Sequence, residues 1–149
     1  MGGAERVERT PADLLVDRIE VIVADGGSRD DTAARARPFA DRVLSAPRGR
    51  SVQMNTGAAA ASGDVLLFLH ADTLLADHAD LQVLDGLTAT GRTWGRFDVR
   101  IDGRPQLLRV VALMMNWRSR LTGIATGDQA IFVRRDQFIS AGGFPEQAL

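Results

Sequence analysis

The 149-residue chain contains no cysteine, no lysine and no tyrosine, and its aromatic content is only 5%. Without cysteine there can be no disulfide framework and no thiolate metal site. All 18 basic residues are arginine, which reads as compositional drift rather than function. The formal net charge of -1 gives no electrostatic case for nucleic acid. No stretch approaches the roughly 20 apolar residues of a membrane span. Residues 1–10 lack the apolar core of a signal peptide. Two histidines, His70 and His78, are too few and too far apart for a zinc site. There is no G-x-G-x-x-G after the first apolar strand and no Walker motif, so neither a dinucleotide fold nor a P-loop is indicated. The expected setting is cytoplasmic.

The most informative stretch present is Ser62-Gly63-Asp64-Val65-Leu66-Leu67-Phe68-Leu69-His70-Ala71-Asp72-Thr73. Five consecutive apolar residues, 65–69, read as a strand buried on both faces. Ligands of open α/β sheets bind beyond the carboxyl ends of strands, so Asp72 stands where chemistry is expected. It can equally start a turn or cap a helix.

Taken in order, residues 1–18 are expected to hold little order apart from a short helical remnant, and residues 19–149 to form one partial domain. Residues 19–24 (Ile-Glu-Val-Ile-Val-Ala) read as a buried strand ending in the turn Asp25-Gly26-Gly27-Ser28. Ser28 and Asp31 stand in capping-box spacing, which predicts a helix from Arg29 to about residue 40. Residues 42–45 form a short strand and Pro47-Arg48-Gly49-Arg50 a loop. Residues 51–61 form a helix that Gly63 ends in a left-handed cap. Residues 77–90 form another, packed through Leu81, Leu84 and Leu87 and ended by Gly91. Phe97, Val99 and Ile101 alternate with Arg96, Asp98, Arg100 and Asp102, so residues 94–102 form a strand with one wet face. Leu107, Val110, Val111, Met114, Trp117 and Leu121 recur at helical spacing. Core packing is the expected fate of that helix, and its flanking arginines also suit peripheral membrane contact. Residues 130–133 form a strand, 136–141 a short helix, and Gly142-Gly143 a stop. The order indicates an α/β domain with a mostly parallel sheet and at least one antiparallel strand.

Two strands thus end in acidic turns, at Asp25 and at His70-Ala71-Asp72. Parallel strands would place both on one edge of the sheet. Arg48 and Arg50 open a helix, where free N–H groups and charge favour phosphate. Such a cleft suits a nucleoside diphosphate. One carboxylate plus substrate phosphates would hold a hard divalent cation.

The stretches Glu20–Thr32, Arg50–Ala58, Gly63–Thr73 and Gly127–Arg135 with Gly142-Gly143-Phe144-Pro145-Glu146 together resemble the family 2 glycosyltransferases, and most closely the subgroup called selenodomain-associated transferase 2. The resemblance runs from about Glu20 to Glu146. It implies an incomplete GT-A fold, a Rossmann-like, mostly parallel sheet with an antiparallel strand. It also implies transfer of a sugar, with inversion, from a nucleotide-diphospho-sugar, a UDP-sugar above others, to an unknown acceptor.

Carried over, Asp25 would contact the nucleoside base, with Ser28, Arg50 and His70 also on the nucleotide. Asp72 would hold Mg2+ or Mn2+, and Asp128 and Gln129 would lie on the acceptor side. His70 replaces the first aspartate of the family's D-x-D, so it brings no charge to the metal. The resemblance places the catalytic base beyond Leu149. It also implies a first strand, absent here, between those at 19–24 and 65–69; exposed sheet edges would then favour self-association. Two other readings are a non-catalytic remnant that binds nucleotide or a partner, and a metal-dependent phosphohydrolase using Asp25 and Asp72. The last has only Asp128 as a third carboxylate.

Overall fold

In the computed structural model, residues 19–98, 113–114, 116–118 and 129–145 are described. The elements are β1 (Ile22–Asp25), α1 (Thr32–Ala36) running into a 3₁₀ turn (Arg37–Phe39), β2 (Arg42–Ser45) and α2 (Arg50–Ala60). There follow β3 (Val65–Phe68), α3 (Ala79–Thr90), β4 (Trp94–Arg96), β5 (Ile131–Arg134) and α4 (Arg135–Ser140). The chain is α/β, with a parallel pair β1–β2 and a three-stranded antiparallel sheet in the order β3-β5-β4. Among the described residues no ladder joins β1 to β3. The sheets part where the resemblance implies a further strand.

β3 is covered on both faces over Val65–Phe68, while Leu69, expected within the buried run, follows the strand and is 45% exposed. Leu66 and Phe68 pack with Ala58 and Met54 of α2 on one side. Val65 and Leu67, offset by one residue, meet the cluster of Val83 and Leu87 from α3 with Phe132 from β5 on the other. Phe68, Phe138 and Phe144 form an aromatic trio with centroids 4.9–5.2 Å apart. Edge-on pairs of this kind add to the burial of the rings.

Several boundaries differ from the sequence reading. Ile19 and Val21 are 65% and 40% exposed and precede β1, which begins at Ile22. α3 buries Ala79, Val83 and Leu87, so of the expected leucine series Leu87 is in the core, Leu84 is half-buried and Leu81 faces solvent. α2 leaves through Ala61 in extended backbone rather than through a left-handed Gly63. Gly91 does end α3 with φ +63, and Gly142 and Gly143 end α4 with φ +80 and +78.

Arg96, expected on a wet face, has its side chain 11% exposed and bonds Asp98 and the carbonyls of Phe97 and Asn116. Met114 and Trp117, expected in the core, are each 65% exposed. Val99, Arg100, Ile101, Asp102 and most of 107–121 lie outside the described residues. No helix among the described residues is long and apolar enough to cross a membrane.

Candidate functional site

The two acidic turns share an end of the molecule but not a sheet. Glu20, just before β1, accepts from the backbone N–H (2.8 Å) and hydroxyl (2.9 Å) of Ser62, just before β3. Both strands therefore start together, near the C-terminus of α2. At the other end, the Ala24 carbonyl accepts from Gln53 in the first half of α2. Phe68, closing β3, packs edge-on against Phe144, whose backbone is held by Asn55 of the same helix. Asp25 and the loop carrying Asp72 thus leave their strands toward the N-terminal half of α2.

Asp25 is half-buried and organises its own turn. Its carboxylate accepts from the N–H of Gly27 (3.3 Å) and of Ser28 (3.1 Å), and from the Ser28 hydroxyl. The Ser28 hydroxyl, then its N–H, hold the Asp25 carboxyl below the usual carboxylate range. Gly27 sits at φ +85, which the tight turn requires and a side chain resists. Ser28 does not cap a helix, because its hydroxyl is committed to Asp25 three residues back. α1 starts later, at Thr32, whose N–H is met by Asp30 (3.1 Å).

Arg48 and Arg50 are exposed at the start of α2, and no carboxylate among the described residues pairs with either. No side chain caps this eleven-residue helix. Its first N–H groups and a guanidinium therefore face the same end as the Asp25 turn, an arrangement that suits an anion. Asp72 is exposed in the loop after β3, where the Thr73 N–H closes a turn onto the His70 carbonyl (3.1 Å). His70 is half-buried at the base of that loop. No three acidic or imidazole groups converge among the described residues, so no all-protein cation cage forms there. The donor set fits only a cation that completes its shell with ligand oxygens and water, as magnesium does. The phosphohydrolase reading finds no multi-carboxylate centre among these residues.

Gln129 is 1% exposed. Its carbonyl accepts from Phe97 N–H (2.8 Å) and its amide faces the Asn116 side chain (3.4 Å). Ala130 beside it holds φ +43, a left-handed conformation unusual for a residue with a Cβ. Asp128 lies outside the described residues. A groove of about 340 Å³ lies between β4, β5 and α4, lined by Trp94, Ile131, Val133, Phe138 and Phe144 among others. It is mainly apolar and holds no charged group, so it does not suit a diphosphate.

Two residues central to this end of the molecule, Gln53 and Asn55, carry no local signal in the sequence. Asn55 clamps the Phe144 backbone at both N–H and C=O, each at 2.9 Å, across 89 residues.

The family model described as Glycosyl transferase family 2 matches residues 3–138, beginning ahead of the four sequence motifs. Two curated relatives, the uncharacterized glycosyltransferases MT1564 and Rv1514c of Mycobacterium tuberculosis strains CDC 1551 / Oshkosh and ATCC 25618 / H37Rv, are each 42% identical over 104 residues. That alignment takes in 64% of this chain and 40% of either relative. With the match running through nearly all of its length, the chain belongs to glycosyl transferase family 2.

Proposed function

We propose that this chain carries the donor-binding part of a glycosyltransferase that moves a sugar from a nucleoside diphosphate to an acceptor. The observation that supports it most is the shared end of the Asp25 turn, the uncapped α2 start with Arg48 and Arg50, and the Asp72 loop. Asp25, kept ionised by Ser28, offers its remaining lone pairs to an N–H of the base; an imide such as that of uracil has one. His70 lies on the nucleotide side of the Asp72 loop. Arg50 and the first N–H groups of α2 take phosphate oxygens. Asp72 is the carboxylate that would hold Mg2+ or Mn2+ with those oxygens. When bound, the cation neutralises the charge that gathers on the departing diphosphate. The transfer inverts the anomeric centre, and its base lies outside the residues assigned here. Asp128 and Gln129 belong to the acceptor side, with Gln129 acting from within the core.

Calorimetry with UDP, with and without manganese, tests this reading. Wild type should bind UDP more tightly with the metal, and Asp72→Asn should lose that enhancement while keeping the metal-free affinity. A mutant with the full metal response would remove Asp72 from the cation, and a wild type blind to UDP would remove the donor assignment.

A further inference from the structure

We infer that Gln53 is a positioning residue that fixes the span between the two turns of the proposed nucleotide site. The carbonyls of Val21 and Asp25 accept from the β2 side, through Arg42 N–H (3.3 Å) at the start of the strand and Ala46 N–H (2.8 Å) just past its end. Strand alternation then points the Ala24 carbonyl to the opposite edge of β1, where Gln53 Nε2 donates to it at 3.0 Å. The other end of the same carboxamide, Oε1, accepts from Gly49 N–H at 3.4 Å, immediately ahead of Arg50. Gly26 lies flat against this amide. A Cβ there would come within 2.8 Å of Gln53 Cδ and 2.9 Å of its Oε1 and Nε2. Gly26 has no left-handed φ, so a Cβ there would meet the Gln53 carboxamide rather than backbone strain, and the amide would have to shift.

One planar group therefore touches the strand end that bears Asp25 and the helix start that bears Arg50. If the site takes a nucleoside diphosphate, as proposed above, the base end and the phosphate end of one ligand engage these two turns together. The carboxamide sets their separation. A shorter side chain cannot bridge both, and a glutamate would turn an acceptor toward the Ala24 carbonyl.

The test compares wild type with Gln53→Ser by calorimetry in manganese, using UDP, uridine and inorganic pyrophosphate as separate probes. UDP affinity should fall about tenfold, the scale of a lost hydrogen bond. Uridine and pyrophosphate, each resting on one turn, should change by no more than about twofold. Equal weakening of all three, or unchanged UDP binding, overturns the inference. A wild type that binds none of the three removes the nucleotide reading. The contact is then judged by a thermal-unfolding cycle of Gly26→Ala, Gln53→Ser and the double variant. Gly26→Ala should lower the melting temperature in wild type, and Gln53→Ser should restore part of that loss by vacating the space. Additive losses overturn the inference on this arm as well.

Discussion

Replacing Asn55 by alanine should loosen the molecule at the turn that closes α4. The Asn55 amide donates to the Phe144 carbonyl and its Oδ1 accepts from the Phe144 N–H, both at 2.9 Å and both partly buried. Each such bond contributes roughly 0.5–1.5 kcal/mol net, so two give about 1–3 kcal/mol if water reaches the freed groups. If the turn stays shut, Phe144 keeps an unsatisfied N–H and C=O at about 1–3 kcal/mol apiece, and opening becomes the cheaper response. Opening frees Phe144 from Phe68 and Phe138, aromatic pairs worth around 0.5–1.5 kcal/mol each. The net expectation for Asn55→Ala is a loss of about 2–3 kcal/mol. Urea unfolding followed by tryptophan fluorescence would show the midpoint falling at constant slope. Asn55→Asp keeps the acceptor but turns a second oxygen on the Phe144 carbonyl, so it should lose at least as much. A double cycle with Phe144→Leu should be strongly non-additive, since the clamp and the ring act through one residue. A loss under about 0.5 kcal/mol, or additivity with Phe144→Leu, would refute the clamp.

Gly143→Ala should cost roughly 1–3 kcal/mol, because φ is +78 and the new Cβ would stand 2.8 Å from Asn55 Oδ1. Chemical denaturation reads this directly, and a neutral variant would contradict the close approach. The Asp25 carboxyl is held below its ordinary value mainly by Ser28. Its contribution to stability is therefore present above the unfolded value of about 3.9 and is lost as pH falls through the lower folded value. An NMR titration of the Asp25 carboxyl should show its midpoint rising toward the ordinary value in Ser28→Ala, and an unmoved midpoint would deny Ser28 that role.

What the sequence discloses here is what short-range chemistry controls. Residues 42–45 form β2 with the bounds expected, because β-branched Val43 and a following turn leave few alternatives. Val65 to Phe68 are covered on both faces, whereas Leu69, the fifth residue of the apolar run, lies past the strand and is 45% exposed, because an apolar run does not by itself fix where a strand ends. Gly91 and the Gly142-Gly143 pair stop their helices because their left-handed backbone suits glycine. Of the candidate site, the places of Asp25 and Asp72 after strands and of Arg50 at a helix start are legible from the sequence, because strand ends and helix starts are local signals. Ser28 was misassigned because two hydrogen-bonding partners competed for it, and the carboxylate three residues earlier outcompeted the helix. The pairing order β3-β5-β4 and the roles of Gln53 and Asn55 were hidden for a different reason. Gln53 reaches a carbonyl 29 residues away and Asn55 a backbone 89 residues away, and no local pattern encodes such a partner.

The Asn55 clamp also has a bearing on biosynthesis. At a translation rate of about 5–20 residues per second, about 4–18 s pass between the addition of Asn55 and that of Phe144, 89 residues later. Through that interval the carboxamide of Asn55 can be solvated but cannot reach its eventual partner. Helix α2 can form beforehand from contacts near in sequence, but β3 waits for β5 as its pairing partner, and the aromatic slot beside Phe68 stays open to whatever else is nearby on the ribosome. The slot beside Phe68 thus closes only once Phe144 has been made, and a chaperone that shields Phe68 would have to let go only after Phe144 has left the exit tunnel.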